Sequence, residues 1–360
     1  MIPGTVFHVS VSTPTLRLGV VINPTAGRGR GRRAGPAVLD ALAACGHDVW
    51  DLSGSTADLG LEHARRAVAE GLDVLVVVGG DGMIHLGLQA VAETGTPLGI
   101  VAVGTGNDFA SKLGLPTGDT EPCLEALLTA LAAGPTTARA VDAIRVTGAG
   151  LTCRLVANEP VRWVAGAVSA GLDAAVNERA NAMVRPRGSS RYVVAAFREV
   201  AAWDAWDYRL TFEHVCGDEQ SIAALTSLAG FTDLGPEADG DGRRLLWDSR
   251  GALVTAANGS QIGGGIPVAP SAQIDDGLLD IVIATDVGRK GAIRLFPMLL
   301  AGKHLGHKKV RVVRAKAIDL EPAERDGQPR IPSAFGDGEH LGALPLRAEV
   351  RPGALLVLTP

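Results

Sequence analysis

Glycines bracket the polar residues of this chain that could do chemistry. Asn23 and Thr25 stand in Asn23-Pro24-Thr25-Ala26-Gly27, and Asp81 stands in Gly79-Gly80-Asp81-Gly82. Asn107 and Asp108 close Gly104-Thr105-Gly106-Asn107-Asp108, and Glu339 closes Asp337-Gly338-Glu339. Glycine lets a backbone turn sharply and approach a ligand, and the N–H groups of such a turn, or of a helix starting there, favour phosphate. Asp81 would repel phosphate, so its part is indirect, through Mg²⁺ or by orienting a donor. Thr105 supplies a hydroxyl, Asn107 both donor and acceptor, and Asp108 a helix cap or an indirect metal partner. Each has a plainer alternative. A glycine turn serves its own backbone angles, Asn107-Asp108 caps a helix, and Glu339 is a solvated turn residue. Asp275-Asp276-Gly277 likewise reads as a strand turn, or as two acids beside carbonyls able to hold a hard cation.

The elements that must position these residues alternate. Leu16–Ile22 reads as a strand, Pro36–Cys45 as a helix, Asp48–Leu52 as a short strand and Leu61–Glu70 as a helix. Val74–Val78, five apolar residues of which four are β-branched, predicts a parallel strand covered on both faces. A helix Met83–Ala92, a strand Leu98–Val103, a helix near Pro122–Ala133 and a strand Ala138–Val146 carrying Asp142 complete a doubly wound pattern. Three glycine loops at the ends of neighbouring strands then line one crevice, a far more specific signal than any loop alone. A dinucleotide fingerprint fits Gly29-x-Gly31-x-x-Ala34 with Asp51 only loosely, because those glycines lie beyond the strand's immediate turn.

Past about Val146 the alternation gives way to short strands, glycine and proline turns, and two helical stretches, Asn177–Met183 and Tyr192–Ala202. Pro236–Arg244 reads as a mobile surface loop. Gly288–Val310 sets Ile293, Leu295, Phe296, Leu299 and Leu300 on one apolar face, framed by Arg289, Lys290, Lys303, Lys308 and Lys309. It reads as a surface for anionic membrane or as a packing helix with solvated ends.

A length of 360 residues suggests two domains, each with ample core. The net charge of −5 gives no support to nucleic-acid binding. Cys45, Cys123, Cys153 and Cys216 lack metal-like spacing and read as small buried hydrophobes in a reducing compartment. No secretory leader and no membrane-spanning run is expected, which points to the cytoplasm.

Taken together, these motifs resemble the bacterial diacylglycerol kinase-like lipid kinases, which share a catalytic domain with the sphingosine and ceramide kinases. Besides the four stretches above, Gly171-Leu172-Asp173, Asn258-Gly259 with Gly263-Gly264-Gly265, and Asp275-Asp276-Gly277-Leu278-Leu279-Asp280 follow in the family's order, across about residues 16–360. The resemblance implies an α/β N-terminal domain with a NAD kinase- or phosphofructokinase-like doubly wound sheet, over 16–143 and completed by 355–360. A C-terminal β-sandwich over 144–354 would bind the lipid.

It also implies ATP held by Asn23, Pro24, Thr25, Ala26, Gly27, Gly80, Asp81, Gly82, Met83, Ile84, His85 and Thr105, with Asn107 and Asp108 beside them. A further nucleotide contact falls near Ser53–Thr56. Glu339 matches the general base, and Asp276, with the carbonyls of Gln273 and Leu278, matches a structural Mg²⁺ site. Asp81 and Asp108, with Asp142 behind them, would orient a catalytic Mg²⁺ and its waters. Met83 and His85 depart from the threonine and asparagine common there: Met83 removes a hydroxyl, whereas His85 keeps a donor. The expected acceptor is diacylglycerol or a related lipid alcohol at a membrane surface, with peripheral membrane contact. A homodimer is plausible from exposed sheet edges. The alternatives are a soluble kinase of the NAD kinase type and a nucleotide- or lipid-binding regulator without catalysis.

Overall fold

The computed structural model describes residues 15–152, 160–183, 190–202, 205–262, 265–285, 287–323 and 331–360. Most of the N-terminal extension, Cys153, Gly263 and Gly264 lie outside these residues.

Four parallel strands carry the N-terminal half: β1 (Arg17–Ile22), β2 (Asp48–Asp51), β3 (Val74–Gly79) and β4 (Leu98–Ala102), in the spatial order β2-β1-β3-β4. β3 is buried throughout, and its alternation explains why a continuous apolar run was needed. Val74, Val76 and Val78 pack with Val38, Leu42 and Leu127 on one face, while Leu75 and Val77 pack with Leu61, Leu86 and Leu88 on the other. The helices Gly31–Ala44, Ala57–Ala69, Asp81–Val91 and Thr120–Ala133 cover these faces. Thr56 caps the second of them by accepting from Leu59 N at 3.3 Å.

The second half is antiparallel. Its strands are β5 (Arg139–Thr147), β6 (Arg162–Val164), β7 (Ala167–Gly171), β8 (Trp206–Val215), β9 (Phe231–Pro236), β10 (Arg243–Ala257), β11 (Leu279–Thr285), β12 (Val310–Ala315), β13 (Ala317–Pro322), β14 (Ser333–Gly336), β15 (Glu339–Ala343) and β16 (Leu346–Val357). Hydrogen bonding runs β15-β14-β7-β10-β8-β13-β16, and β11 and β12 extend from β10. The inward residues, among them Tyr208, Phe212, Trp247, Ile281 and Ile318, make a sandwich core separate from the two faces of the parallel sheet. β16 joins the halves: it pairs with β13 and β5, then reaches β4 through Val357 opposite Leu98. No helix among the described residues is long and apolar enough to cross a membrane.

Three readings change here. Cys123 is buried as expected, but Cys45 and Cys216 are exposed. Pro236–Arg244 is not a mobile loop but the end of a hairpin between β9 and β10. Glu237 accepts from His214 N at 3.0 Å, Asp241 pairs with Lys316, and Asp233 pairs with Arg243, so the turn is pinned to β8 and to the junction of β12 and β13. The apolar side of the helix Gly288–Leu300 also divides. Ala292 and Phe296 are buried and Leu295 and Leu299 line a narrow apolar crevice, whereas Ile293 and Leu300 face outward.

Candidate functional site

A cleft of about 660 Å³ opens where the carboxyl ends of β1, β3 and β4 meet β7 and the β14–β15 hairpin. Asn23, Ala26 and Gly27 line it from the first glycine loop, Gly80 to His85 from the second, and Gly104 to Gly106 with Asp108 from the third. Asp337, Gly338 and Glu339 face them from the other half. The structure therefore brings the three loops and the Glu339 hairpin together, although up to 316 positions separate them in sequence (339 − 23).

The loops hold one another. Asn23 Oδ1 accepts from Thr25 N at 3.0 Å and from the Thr25 hydroxyl at 2.7 Å, so Thr25 stiffens the turn and does not itself line the cleft. Gly27 is left-handed (φ 57°), and a Cβ there would collide with the Val103 carbonyl. Gly104 and Gly80 touch backbone to backbone, an approach that a side chain on Gly104 would prevent. Asp81 Oδ2 accepts from Asn107 N at 2.7 Å and its Oδ1 takes a weaker bond from Phe109 N at 3.5 Å. Asn107 is left-handed (φ 60°) and buried, and it donates to the Gly104 carbonyl at 3.2 Å. Behind the loops, Arg30 donates to the carbonyls of Gly27 (3.1 Å), Gly118 (2.7 Å) and Gly104 (3.0 Å), lacing the first loop to the third.

The charges are unevenly shared. Burial pushes the Asp81 carboxyl above its ordinary range, and the neighbouring Asp108 adds to the rise. Burial raises Asp173, which also lines the cleft. Asp337 behaves oppositely. Burial would raise it, but His85 and the N–H groups of Ala165 and Gly166 hold it below its usual range. Its oxygens accept from Ala165 N at 2.6 Å, Gly166 N at 2.8 Å and Ala167 N at 3.4 Å, and His85 Nδ1 lies 3.8 Å away. His85 is buried on the helix Asp81–Val91, one turn above Gln89, whose amide bridges Trp163 N (3.1 Å) and the Trp163 carbonyl (2.6 Å). Met83, also buried, packs beneath Gly79 in the parallel-sheet core and so belongs to packing as well as to the cleft floor.

Several expected residues are elsewhere. Ser53 accepts from Ile22 N at 3.0 Å and Thr56 caps a helix; neither lines the cleft. Asp142 is buried and accepts from Gly277 N (2.7 Å) and Gly353 N (2.9 Å), which fastens the 275–277 turn to β5 and β16 and keeps it out of the cleft. The set implied for a structural Mg²⁺ does not fit a cation as arranged. Arg314 pairs with Asp276 and, at 2.9 Å, with Asp280, while Asp276 also accepts from Leu278 N at 3.1 Å. A guanidinium already neutralises the carboxylate, which leaves Gln273 and Leu278 only neutral carbonyls to offer. Among the described residues no group of three or more His, Cys, Asp or Glu side chains converges on a metal position. Asp81 and Asp108 are a different donor set: two carboxylates on one wall, of which Asp81 is raised by burial and by the charge of Asp108, suit a hard cation placed between them and phosphate.

Sequence reasoning missed Lys112, Asn177, Asn181, Ser169 and Arg30. The first four line the cleft. Asn177 and Asn181 share the face of the helix Leu172–Ala182 that follows the Gly171-Leu172-Asp173 stretch, and their four-residue spacing was the available signal.

Residues 17–140 match the diacylglycerol kinase catalytic domain, and residues 166–359 match the YegS C-terminal NAD kinase beta sandwich-like domain. A protein named diacylglycerol kinase from Mycobacterium tuberculosis is 30% identical over 344 residues, covering 96% of this chain and 95% of its own. A protein of Stenotrophomonas maltophilia named probable lipid kinase YegS-like is 28% identical over 309 residues, covering 83% of this chain and 82% of its own. A solved structure described as a diacylglycerol kinase of Bacillus anthracis superposes with a TM-score of 0.61 at 17% identity, covering 97% of this chain and 98% of that one. This last likeness speaks for the fold: a NAD kinase-like α/β half and a sandwich-like half.

Proposed function

We propose that this chain, which belongs to the diacylglycerol kinase family of lipid kinases and is thereby a phosphotransferase, transfers the γ-phosphate of ATP to the hydroxyl of diacylglycerol or a related lipid alcohol. The observation that carries the reading is the convergence of three glycine loops and the Glu339 hairpin on one cleft. The helix Asp81–Val91 begins after Gly80 with its first turn lining the cleft, and a helix N-terminus favours phosphate. The loops Asn23–Gly27 and Gly104–Gly106 complete the cradle. When bound beside Asp81 and Asp108, Mg²⁺ would supply charge neutralisation for the phosphates. Glu339 accepts the acceptor hydroxyl's proton as the new O–P bond forms and the bond to the departing ADP oxygen breaks.

Exposed Phe197, Ile293 and Leu300 support peripheral contact with membrane, since they lie on neighbouring helices joined by an edge-to-face contact of Phe197 with Phe296 at 5.2 Å. Arg289, Lys290, Lys303, Lys308 and Lys309, on the same stretch of chain as Ile293 and Leu300, are exposed too. Neutralising Lys303, Lys308 and Lys309 together is expected to lower partitioning onto vesicles containing anionic lipid, more at low salt than at high salt. Unchanged partitioning in a sedimentation assay would return the segment to ordinary packing.

The function itself is tested by transfer of labelled γ-phosphate from ATP·Mg²⁺ into mixed micelles. Diacylglycerol, monoacylglycerol, ceramide, sphingosine and phosphatidylglycerol would run beside NAD as a soluble acceptor. Label in a lipid is the expected result and identifies the acceptor. Label in NAD alone would contradict it.

A further inference from the structure

The walls of the cleft carry five carboxylates, Asp81, Asp108, Asp173, Asp337 and Glu339. Among the described residues lining it, Lys112 is the one lysine or arginine. It ends the short helix Asp108–Lys112 that leaves the third glycine loop, and its ammonium crosses to the other half of the molecule. There Nζ donates to the Gln261 carbonyl at 2.7 Å. A Cβ on Gly259 would stand 2.5 Å from Nζ and 3.2 Å from Cδ and Cε, so the glycine keeps the channel for this side chain open. A Cβ on Gly166, whose N–H binds Asp337, would stand 3.7 Å from the same Nζ. The ammonium is therefore held at the junction between the glycine loops and the Glu339 hairpin, which on the kinase reading lies between the phosphate donor and the general base. An ammonium has three donors and the Gln261 carbonyl takes one.

We propose that Lys112 is a catalytic residue whose ammonium binds the oxygens of the transferring phosphoryl group, with Gln261 and Gly259 keeping it at that station. This rests on the kinase reading above. In the step, the acceptor oxygen bonds to phosphorus, the bond from phosphorus to the ADP oxygen breaks with its electron pair leaving on ADP, and the hydroxyl proton passes to Glu339. Lys112 keeps its proton throughout and acts by charge. A cation aimed at charge that develops during transfer raises turnover more than it raises ground-state affinity.

The test compares Lys112→Met, Lys112→Arg and Gly259→Ala with the parent protein. Two readouts are used: turnover on the lipid found by the micelle panel, and binding of ADP·Mg²⁺ with and without fluoroaluminate, a planar stand-in for the phosphoryl group. Lys112→Met should lower kcat by about 10²–10³-fold while ATP affinity and lipid KM move by less than about 3-fold. It should also lose the tightening that fluoroaluminate gives the parent. Lys112→Arg should recover part of both effects, and Gly259→Ala, which displaces the ammonium without removing it, should fall between. Unchanged kcat, a loss confined to ATP affinity, or fluoroaluminate tightening that is equal in parent and Lys112→Met or absent from the parent overturns the proposal. Because the fluoroaluminate arm uses no lipid, a wrong acceptor assignment cannot imitate that result.

Discussion

Replacing Glu339 by glutamine is expected to reduce phosphoryl transfer by about 10²–10⁴-fold, the range over which a positioned general base acts, while fold and nucleotide affinity are retained. The geometry separates these effects. Glu339 opens β15 directly after the Asp337-Gly338 turn, is exposed and lines the cleft. Glutamine preserves its size and its place in the β14–β15 pairing, where residue 339 stands opposite Gly336. What it loses is the capacity to take a proton. An exposed side chain of this kind shifts stability by only a few tenths of a kcal/mol. Single-turnover transfer beside a thermal melt checks both halves. Near-parental transfer by Glu339→Gln would remove the assigned base, and a large fall in melting temperature would show a structural role instead.

How much of this was legible in the sequence depends on how local each signal is. β3 announces itself through a run that must be apolar because both of its faces are covered, and the loops announce themselves because glycine is required where strand turns into helix. The ties that assemble the cleft are long-range and leave no local trace. Asp337 reaches back to Gly166, Lys112 forward to Gln261, and Arg30 across to Gly104 and Gly118. Charge partners mislead in the same way. Asp276 reads alone as a strand turn and becomes a cation ligand only through the family resemblance, yet the antiparallel register of β11 with β12 brings Arg314 opposite Asp280 and thus within reach of Asp276. Pro236–Arg244 has the composition of a free loop, but His214 of β8 and Lys316 between β12 and β13 hold it. Composition describes what a segment could do unaided, and pairing register decides what it does.

Asp337→Ala is expected to cost both stability and rate. Its carboxylate takes the N–H groups of three successive residues, Ala165 to Ala167, at the entry to β7, and stands 3.8 Å from buried His85. Alanine leaves those donors without their acceptor and removes the carboxylate that stands beside His85. An unsatisfied buried group costs roughly 1–3 kcal/mol, and water admitted from the adjoining cleft limits the sum, so a loss of about 2–4 kcal/mol is expected. Because Asp337 begins the turn that presents Glu339, transfer should fall as well. The sign with pH follows from the depressed carboxyl. Asp337 stabilises the fold fully above the ordinary value of 3.8, and that contribution disappears as pH drops through its lower folded-state value. Asp81, raised by burial and by Asp108, acts in the opposite sense, so the parent's acid limb alone mixes the two. The difference between parent and Asp337→Ala in urea unfolding isolates the effect: large at neutral pH and shrinking at acid pH. A difference that is independent of pH would mean that the turn geometry, and not the carboxylate's charge, holds β14 against β7.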